Sequence, residues 1–304
     1  MSDRAGLDTS TGRHRVAANG KRAASAEPVR VYVGAVHSHR LMFEVLRWSI
    51  RRHTARAVEV QPIGELVGPD MPMPRRPESR PVTPFSFQRF AVPMLAGWRG
   101  RALYLDSDQL VLRDIAELYD RPMRFGARLL RRTEKGPDGR TGSHASSVML
   151  LQCDRLESWS PQRIADDLDA GRIEYHDLMK LKPVWRKGSF PREWNAFDHY
   201  EAGRTGLLHY TRRSTQPWIA RGHPCEGLWF EALYSGLDAG GVSRAAVDFA
   251  IENRYVRPSF AWQVAQREGD SSRVPAELHA ADSAFLEHCS RHQFNNLDGD
   301  YRPT

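Results

Sequence analysis

Cysteine is scarce. The three present, Cys153, Cys225 and Cys289, are an odd number with no Cys-x-x-Cys spacing, so neither a disulfide framework nor a zinc site is indicated. A free cysteine is most often a small buried hydrophobe, and none of the three is read as a nucleophile. Long apolar runs are missing too: the longest is a handful of residues, against about 20 for a membrane-spanning helix. The charged, Gly- and Ser-containing start has no apolar signal core, and a cytoplasmic protein is expected. No Walker phosphate loop, no Gly-x-Gly-x-x-Gly after the first strand and no Gly-x-Ser-x-Gly elbow is present. The common NTPase, dehydrogenase and hydrolase classes therefore lack their residues.

What is present suffices for a folded domain, since 40% of the 304 residues are hydrophobic. The net charge of +7 is local: Arg121 to Arg140 holds seven basic residues against two acidic ones. A solvated strand edge and loop is one reading of this stretch; a patch for phosphates or acidic lipid headgroups is the other. Residues 1–28 lack apolar periodicity and read as a disordered tail. Val29 to Val36 reads as a buried strand, Leu41 to His53 as a helix with Leu41, Val45 and Trp48 inward and Glu44, Arg47 and Arg51 on other faces, and Ala57 to Ile63 as a second strand. Six prolines between Gly68 and Pro84 enforce a loop. Thr83-Pro84 then starts a helix running to Trp98, with Phe87, Phe90, Ala91, Met94 and Leu95 inward and a kink at Pro93. Arg101 to Leu105 is a strand, Met123 to Leu129 alternates like one, and Glu134 to Ser143 is a polar loop. Ser147 to Gln152 and Leu207 to Tyr210 are further strands; Ile164 to Asp169, Tyr175 to Lys182, Leu228 to Leu237 and Val242 to Ile251 are helical. Beyond Pro258 no pattern is assigned. The prediction is an α/β fold with a mixed central sheet flanked by helices, ligands lying beyond the carboxyl ends of its strands.

One strand ends in chemistry. In Ala102-Leu-Tyr-Leu-Asp-Ser-Asp108 an apolar run closes on two carboxylates at i and i+2, a spacing that lets alternate side chains of an extended backbone leave one face. Hard oxygen ligands of this kind suit Mg or Mn, and the ion could grip a diphosphate. The same Asp-Ser-Asp also makes a plain surface turn.

The segments Thr83-Pro-Phe-Ser-Phe-Gln-Arg-Phe-Ala-Val-Pro93, Arg101-Ala-Leu-Tyr-Leu-Asp-Ser-Asp-Gln-Leu-Val111 and Asp114-Ile-Ala-Glu-Leu118, followed by Trp194-Asn195 and Leu208-His-Tyr-Thr211 to Gln216-Pro-Trp218, together resemble the retaining GT-A glycosyltransferases that include glycogenin and bacterial lipopolysaccharide galactosyltransferases. The resemblance covers roughly Val29 to Val256. It implies a single-domain GT-A fold with a Rossmann-like mixed sheet, a catalytic domain over 29–258 and a C-terminal extension over 259–304. It further implies a divalent ion, Mn or Mg, on Asp106, Asp108 and His209, bridging the diphosphate of a nucleotide sugar that is UDP-linked, and transfer of a hexose to an acceptor hydroxyl with retention. Arg89 would lie near the donor sugar or diphosphate, unless it is a surface residue. Ser107 would lie by the ribose, Gly34, Ala35 and His37 by the base and ribose, and Gln216 and Trp218 along the donor. Asp177 is the nearest acidic candidate, in order, for the residue beside the anomeric carbon.

Two departures from the family pattern stand out. The phosphate-binding Lys before Pro-Trp is Gln216, so the diphosphate charge would be met by Arg212 or Arg213. Ala145-Ser146-Ser147 replaces Asn-Ala-Gly before the Met149 strand. Trp185, Trp194 and Trp218 are expected in the core, where large aromatics dominate. Two rival readings are a sugar nucleotidyltransferase or phosphotransferase on a similar sheet, and a non-catalytic basic module gripping nucleic acid or membrane through 121–140. With the enzyme reading, no specific nucleic acid is expected, and that basic stretch would give peripheral contact with a membrane or an anionic acceptor.

Overall fold

The computed structural model describes residues 27–68, 70–81, 83–133 and 146–294. The expected disordered tail (but for its last two residues), the expected polar loop at 134–143 and the last ten residues lie outside them. Nine strands are formed among the described residues: β1 (Val29–Gly34), β2 (Val58–Pro62), β3 (Arg101–Asp106), β4 (Gln109–Val111), β5 (Leu129–Arg132), β6 (Val148–Gln152), β7 (Lys187–Phe190), β8 (Ala196–Phe197) and β9 (Leu207–His209). Six make a mixed sheet in the order β2-β1-β3-β6-β5-β7 and three a small sheet in the order β4-β9-β8. β1 is parallel to β2 and β3, β6 runs antiparallel to β3 and β5, and β5 is parallel to β7.

The period-2 pattern of β3 explains how the large sheet is covered on both sides. Leu103 and Leu105 face one side, with Val31, Val33 and Val148, and meet Phe43, Leu46 and Ile50 of the helix Arg40–His53. Ala102 and Tyr104 face the other, with Met149 and Leu151, and meet Phe87, Phe90, Trp159, Ile164 and Leu178. The helix Arg40–His53 is apolar on a second flank as well, where Leu41 and Val45 pack with Trp229, Leu233, Val247, Phe260 and Cys289. The stretch beyond Pro258 that carries no clear pattern thus supplies two helices, Phe260–Gln266 and His279–Arg291, to this cluster. Among the described residues no helix is long and apolar enough to cross a membrane.

Several sequence expectations are corrected. Glu44 is buried rather than on a polar face, and its Oε2 accepts from the Ser243 N–H at 2.7 Å. The expected helix from Phe85 to Trp98 is broken into Pro84–Gln88, a 3-10 turn at Arg89–Ala91 and Val92–Leu95. Pro93 has no N–H to continue a ladder, and the last turn rotates Met94 outward to 41% exposure. Met123 to Leu129 is not a strand: Arg124–Gly126 is a 3-10 turn, and Phe125, at φ 54°, is 94% exposed. Nor is Arg121 to Arg140 a continuous solvated face, because Arg131 and Arg132 are buried in β5; Lys135 and Arg140 lie outside the described residues. Trp185 is exposed, with the Arg128 and Arg186 guanidinium groups over its ring, whereas Trp194 and Trp218 are in the core.

Candidate active site

The Asp-Ser-Asp segment is the crossing point between the two sheets. β3 of the large sheet ends at Asp106, and Asp108 leads into β4 of the small one. The β4–β9 register sets Gln109 opposite His209, and the Tyr210 N–H donates to the Asp108 carbonyl at 3.0 Å. Strand alternation and sheet pairing together therefore bring one ligand atom each of Asp106, Asp108 and His209 within 4.8 Å of one another.

Each of the three is held by a neighbour. Asp106 Oδ1 accepts from the Tyr104 hydroxyl at 2.5 Å and lies 3.2 Å from Arg89 Nη2. Arg89 is itself buried, with Nη1 donating to the Ser146 carbonyl and Oγ, both at 2.9 Å, and its guanidinium over the Tyr104 ring. It is not a surface arginine. Asp108 Oδ2 accepts from Gln216 Nε2 at 3.0 Å, and that same nitrogen donates to the Tyr210 carbonyl at 2.9 Å. Both N–H bonds of the Gln216 amide are thus used. His209 Nδ1 lies 2.9 Å from Asn195 Oδ1, while Asn195 Nδ2 donates to Ser147 Oγ at 3.0 Å. The Asn195 oxygen can then only accept, so Nδ1 of His209 carries a proton and Nε2 faces Asp108 at 3.2 Å.

Electrostatics matches this arrangement. Burial pushes the Asp106 carboxyl above its ordinary range, opposed by the Arg89 charge. For Asp108 burial is again the largest influence, but the charge and hydrogen bond of His209, with the charges of His39 and Arg213, outweigh it and hold that carboxyl below the usual range. Burial works against a charged His209, and Asp108 more than offsets it, raising the imidazole above its usual value. Asp108 Oδ1 has His209 Nε2 as its near neighbour at 3.2 Å. Both atoms carry lone pairs that a divalent ion could accept in place of a shared proton. Two carboxylates and one imidazole, with second neighbours that fix their orientation, fit Mn or Mg.

The triad opens into a cleft of about 220 Å³, also lined by His39, Phe85, Arg89, Ser107, Arg213, Gln216 and Trp218. Ser107 Oγ lies 3.2 Å from His39 Nδ1, so the turn after β1 contributes His39 to the lining. Gly34, Ala35 and His37 are not in the lining; His37 stacks edge-on against Phe249. Gly34 has a different task, since a Cβ there would overlap the Tyr104 hydroxyl that holds Asp106. Arg213 lines the cleft with Nη1 donating to the Phe294 carbonyl at 3.4 Å. Trp218 forms part of the wall, packed on Tyr210 and Trp229 with ring centroids 5.8 and 5.1 Å away. Asp177 is outside the lining, on the helix Tyr175–Met179, with Oδ1 2.7 Å from Lys182 Nζ and 2.8 Å from His176 Nδ1. Sequence reasoning did not single out Tyr104, His39 or the Asn195 side chain as site residues. Tyr104 was readable, because i−2 from Asp106 on a strand is the same face.

Protein CDI of Arabidopsis thaliana is 33% identical to this chain over 231 residues, covering 68% of this chain and 86% of that protein. The chain belongs to the CDI family. No protein-family model matches it. Among solved structures, the bifunctional glycosyltransferase WbbM superposes with a TM-score of 0.52 at 14% identity, covering 68% of this chain and 49% of that one. The glycosyltransferase GlyE of Streptococcus pneumoniae TIGR4 gives 0.51 at 16% identity, covering 71% and 64%. This member of the CDI family spans about half the length of WbbM and under two thirds of GlyE. At such identities the likeness concerns the fold, which is the GT-A glycosyltransferase fold in a single α/β domain.

Proposed function

We propose that the chain is a metal-dependent glycosyltransferase that moves a hexose from a nucleotide sugar, UDP-linked, to an acceptor hydroxyl with retention. The observation that carries this reading is the set of half-buried Asp106 and Asp108 with buried His209 where the two sheets of a GT-A fold meet. A divalent ion, Mn or Mg, held by these three residues would neutralise charge developing on the departing diphosphate.

The chain's own residues do the rest. Arg89 and Tyr104 orient Asp106, Gln216 orients Asp108, and Asn195 holds the His209 ring so that Nε2 would be the nitrogen offered to the ion. Gln216 brings no charge to the place where the resembling family has a lysine. Arg213, in the same cleft, is the cation that would meet the diphosphate. Ser107 and His39 would receive the ribose side of the donor.

The test is thermal unfolding of the full chain with UDP, GDP, CDP and ADP, each with and without Mn, since a ligand of the native state raises stability by mass action. One diphosphate should raise Tm in a Mn-dependent manner, and Asp108→Ala should lose that rise. If no diphosphate shifts Tm with Mn, or if Asp108→Ala keeps the shift, the reading is wrong.

A further inference from the structure

Arg131 lies on β5, next to the edge strand β7 of the large sheet, and is 7% exposed. The register runs Tyr104, Met149, Arg131 and Ser189 across β3, β6, β5 and β7. Directly paired residues point to the same face, so Arg131 shares a face with Tyr104. With strands about 4.8 Å apart, its Cα lies about 10 Å from that of Tyr104, which holds Asp106. Its guanidinium is poorly satisfied. Nε has no partner, and Nη1 makes one long bond, 3.4 Å, to the Arg132 carbonyl. Lys187 pairs with Leu129, one diagonal step from Arg131 on the same face, and its ammonium donates to the Val184 carbonyl. Neither cation is paired with a carboxylate among the described residues. On that side the helix Tyr175–Met179 carries Asp177, already engaged by Lys182 and His176.

A guanidinium cannot shed its proton to escape burial, and a buried cation without a counter-charge is costly. Burial depresses the proton affinity of Arg131, and burial together with the Arg131 charge does the same to Lys187. An apolar residue would serve the sheet better at this position, and an oxyanion brought by a ligand would supply the missing counter-charge.

We infer that Arg131, supported by Lys187, recognises a negatively charged group, a carboxylate or phosphate, on the acceptor. The planar fork of Arg suits either oxyanion. The assignment to the acceptor rests on the glycosyltransferase reading: the donor diphosphate belongs at the triad, and a charge about 10 Å along the sheet lies beyond the sugar being transferred.

The experiment is thermal unfolding of the full chain at matched ionic strength with methyl glucuronide, glucose 6-phosphate and neutral methyl glucoside, in the absence of metal and nucleotide. The two charged sugars should raise Tm and the neutral one should not. Arg131→Met should remove the rise while the ligand-free protein melts no lower than wild type, and Arg131→Lys should keep part of it. In a transfer assay, Arg131→Met should raise the KM ratio of charged to neutral acceptor by about tenfold, the scale of one lost charge-assisted contact. Equal shifts with charged and neutral sugars, a shift surviving in Arg131→Met, or a lowered Tm of ligand-free Arg131→Met would each overturn the inference. A response confined to a nucleoside-diphosphate uronic acid would move the anion to the donor and overturn the acceptor assignment. Because the sugar titrations need neither Mn nor nucleotide, they stand or fall independently of the donor-binding test.

Discussion

Replacing Arg89 by Met probes the ion pair between buried Arg89 and half-buried Asp106. Arg89 is 4% exposed, and its guanidinium makes two bonds to Ser146 at 2.9 Å, one contact with Asp106 at 3.2 Å and a stack on Tyr104. The apolar Met chain fills much of the same space, so the main loss is electrostatic: Asp106 is left in a desolvated site beside Asp108. Breaking one half of such a pair costs about 3–5 kcal/mol, and in a chain of this size that corresponds to a fall in Tm on the order of 10 °C. The cost should depend on the Asp106 charge. In an Asp106→Asn background, where no carboxylate is stranded, Arg89→Met should cost at least about 2 kcal/mol less, a coupling within the range for contacting charged residues. Urea unfolding of wild type, both single variants and the double variant measures this coupling directly. If the two single losses simply add, Arg89 and Asp106 are not energetically paired, and the account of how the site holds its first carboxylate is refuted.

Other consequences can be checked more briefly. Gly34→Ala should destabilise by about 1–3 kcal/mol through overpacking and should also weaken Mn binding, because the added methyl displaces the Tyr104 hydroxyl from Asp106; unchanged Mn affinity by calorimetry would count against that link. Gln216→Lys should raise affinity for a nucleoside diphosphate while lowering Mn affinity, since Asp108 loses its amide donor but the cleft gains a cation; binding isotherms with and without Mn separate the two. Burial pushes the Cys153 thiol up to about 12. A folded pKa above the unfolded one means stability present at neutral pH and lost as pH rises from about 9 towards 12, so native Cys153 should resist alkylation at pH 8 and react once guanidinium unfolds the chain. Fast alkylation of the native protein at pH 8 would show that this thiol is not buried as described.

The parts of the molecule that were legible in the sequence are those where one local rule acts alone. β1 and β2 follow from their valines, β3 from an apolar run, the long loop from six prolines, and the carboxylate pair from its place after an apolar strand. The helix before β3 was misjudged in its last turn because the ladder is interrupted at Arg89–Ala91 and restarts at Val92 with Pro93 in its first turn, and Met94 faces solvent there. Met123 to Leu129 alternates like a strand, but alternation says nothing of φ, and Phe125 in the left-handed region breaks the extension. The convergence of His209 on Asp108 depends on β4–β9 pairing across about a hundred residues, which no local pattern encodes; only the resemblance pointed to it. The burial of Arg131 and Arg132 was missed for the opposite reason, as charged residues in a strand are ordinarily assigned to water.

That the ligand set straddles two sheets has a consequence for how the protein comes to exist. Asp106 and Asp108 leave the ribosome about a hundred residues before His209 does, and β9, which carries His209, is what joins β4 to β8. A chain halted before residue 207 has both acids but not the pocket between them. By the metal-dependent reading, an ion would find its full ligand set only in a chain that has already closed its second sheet, and its affinity would be a measure of completed assembly.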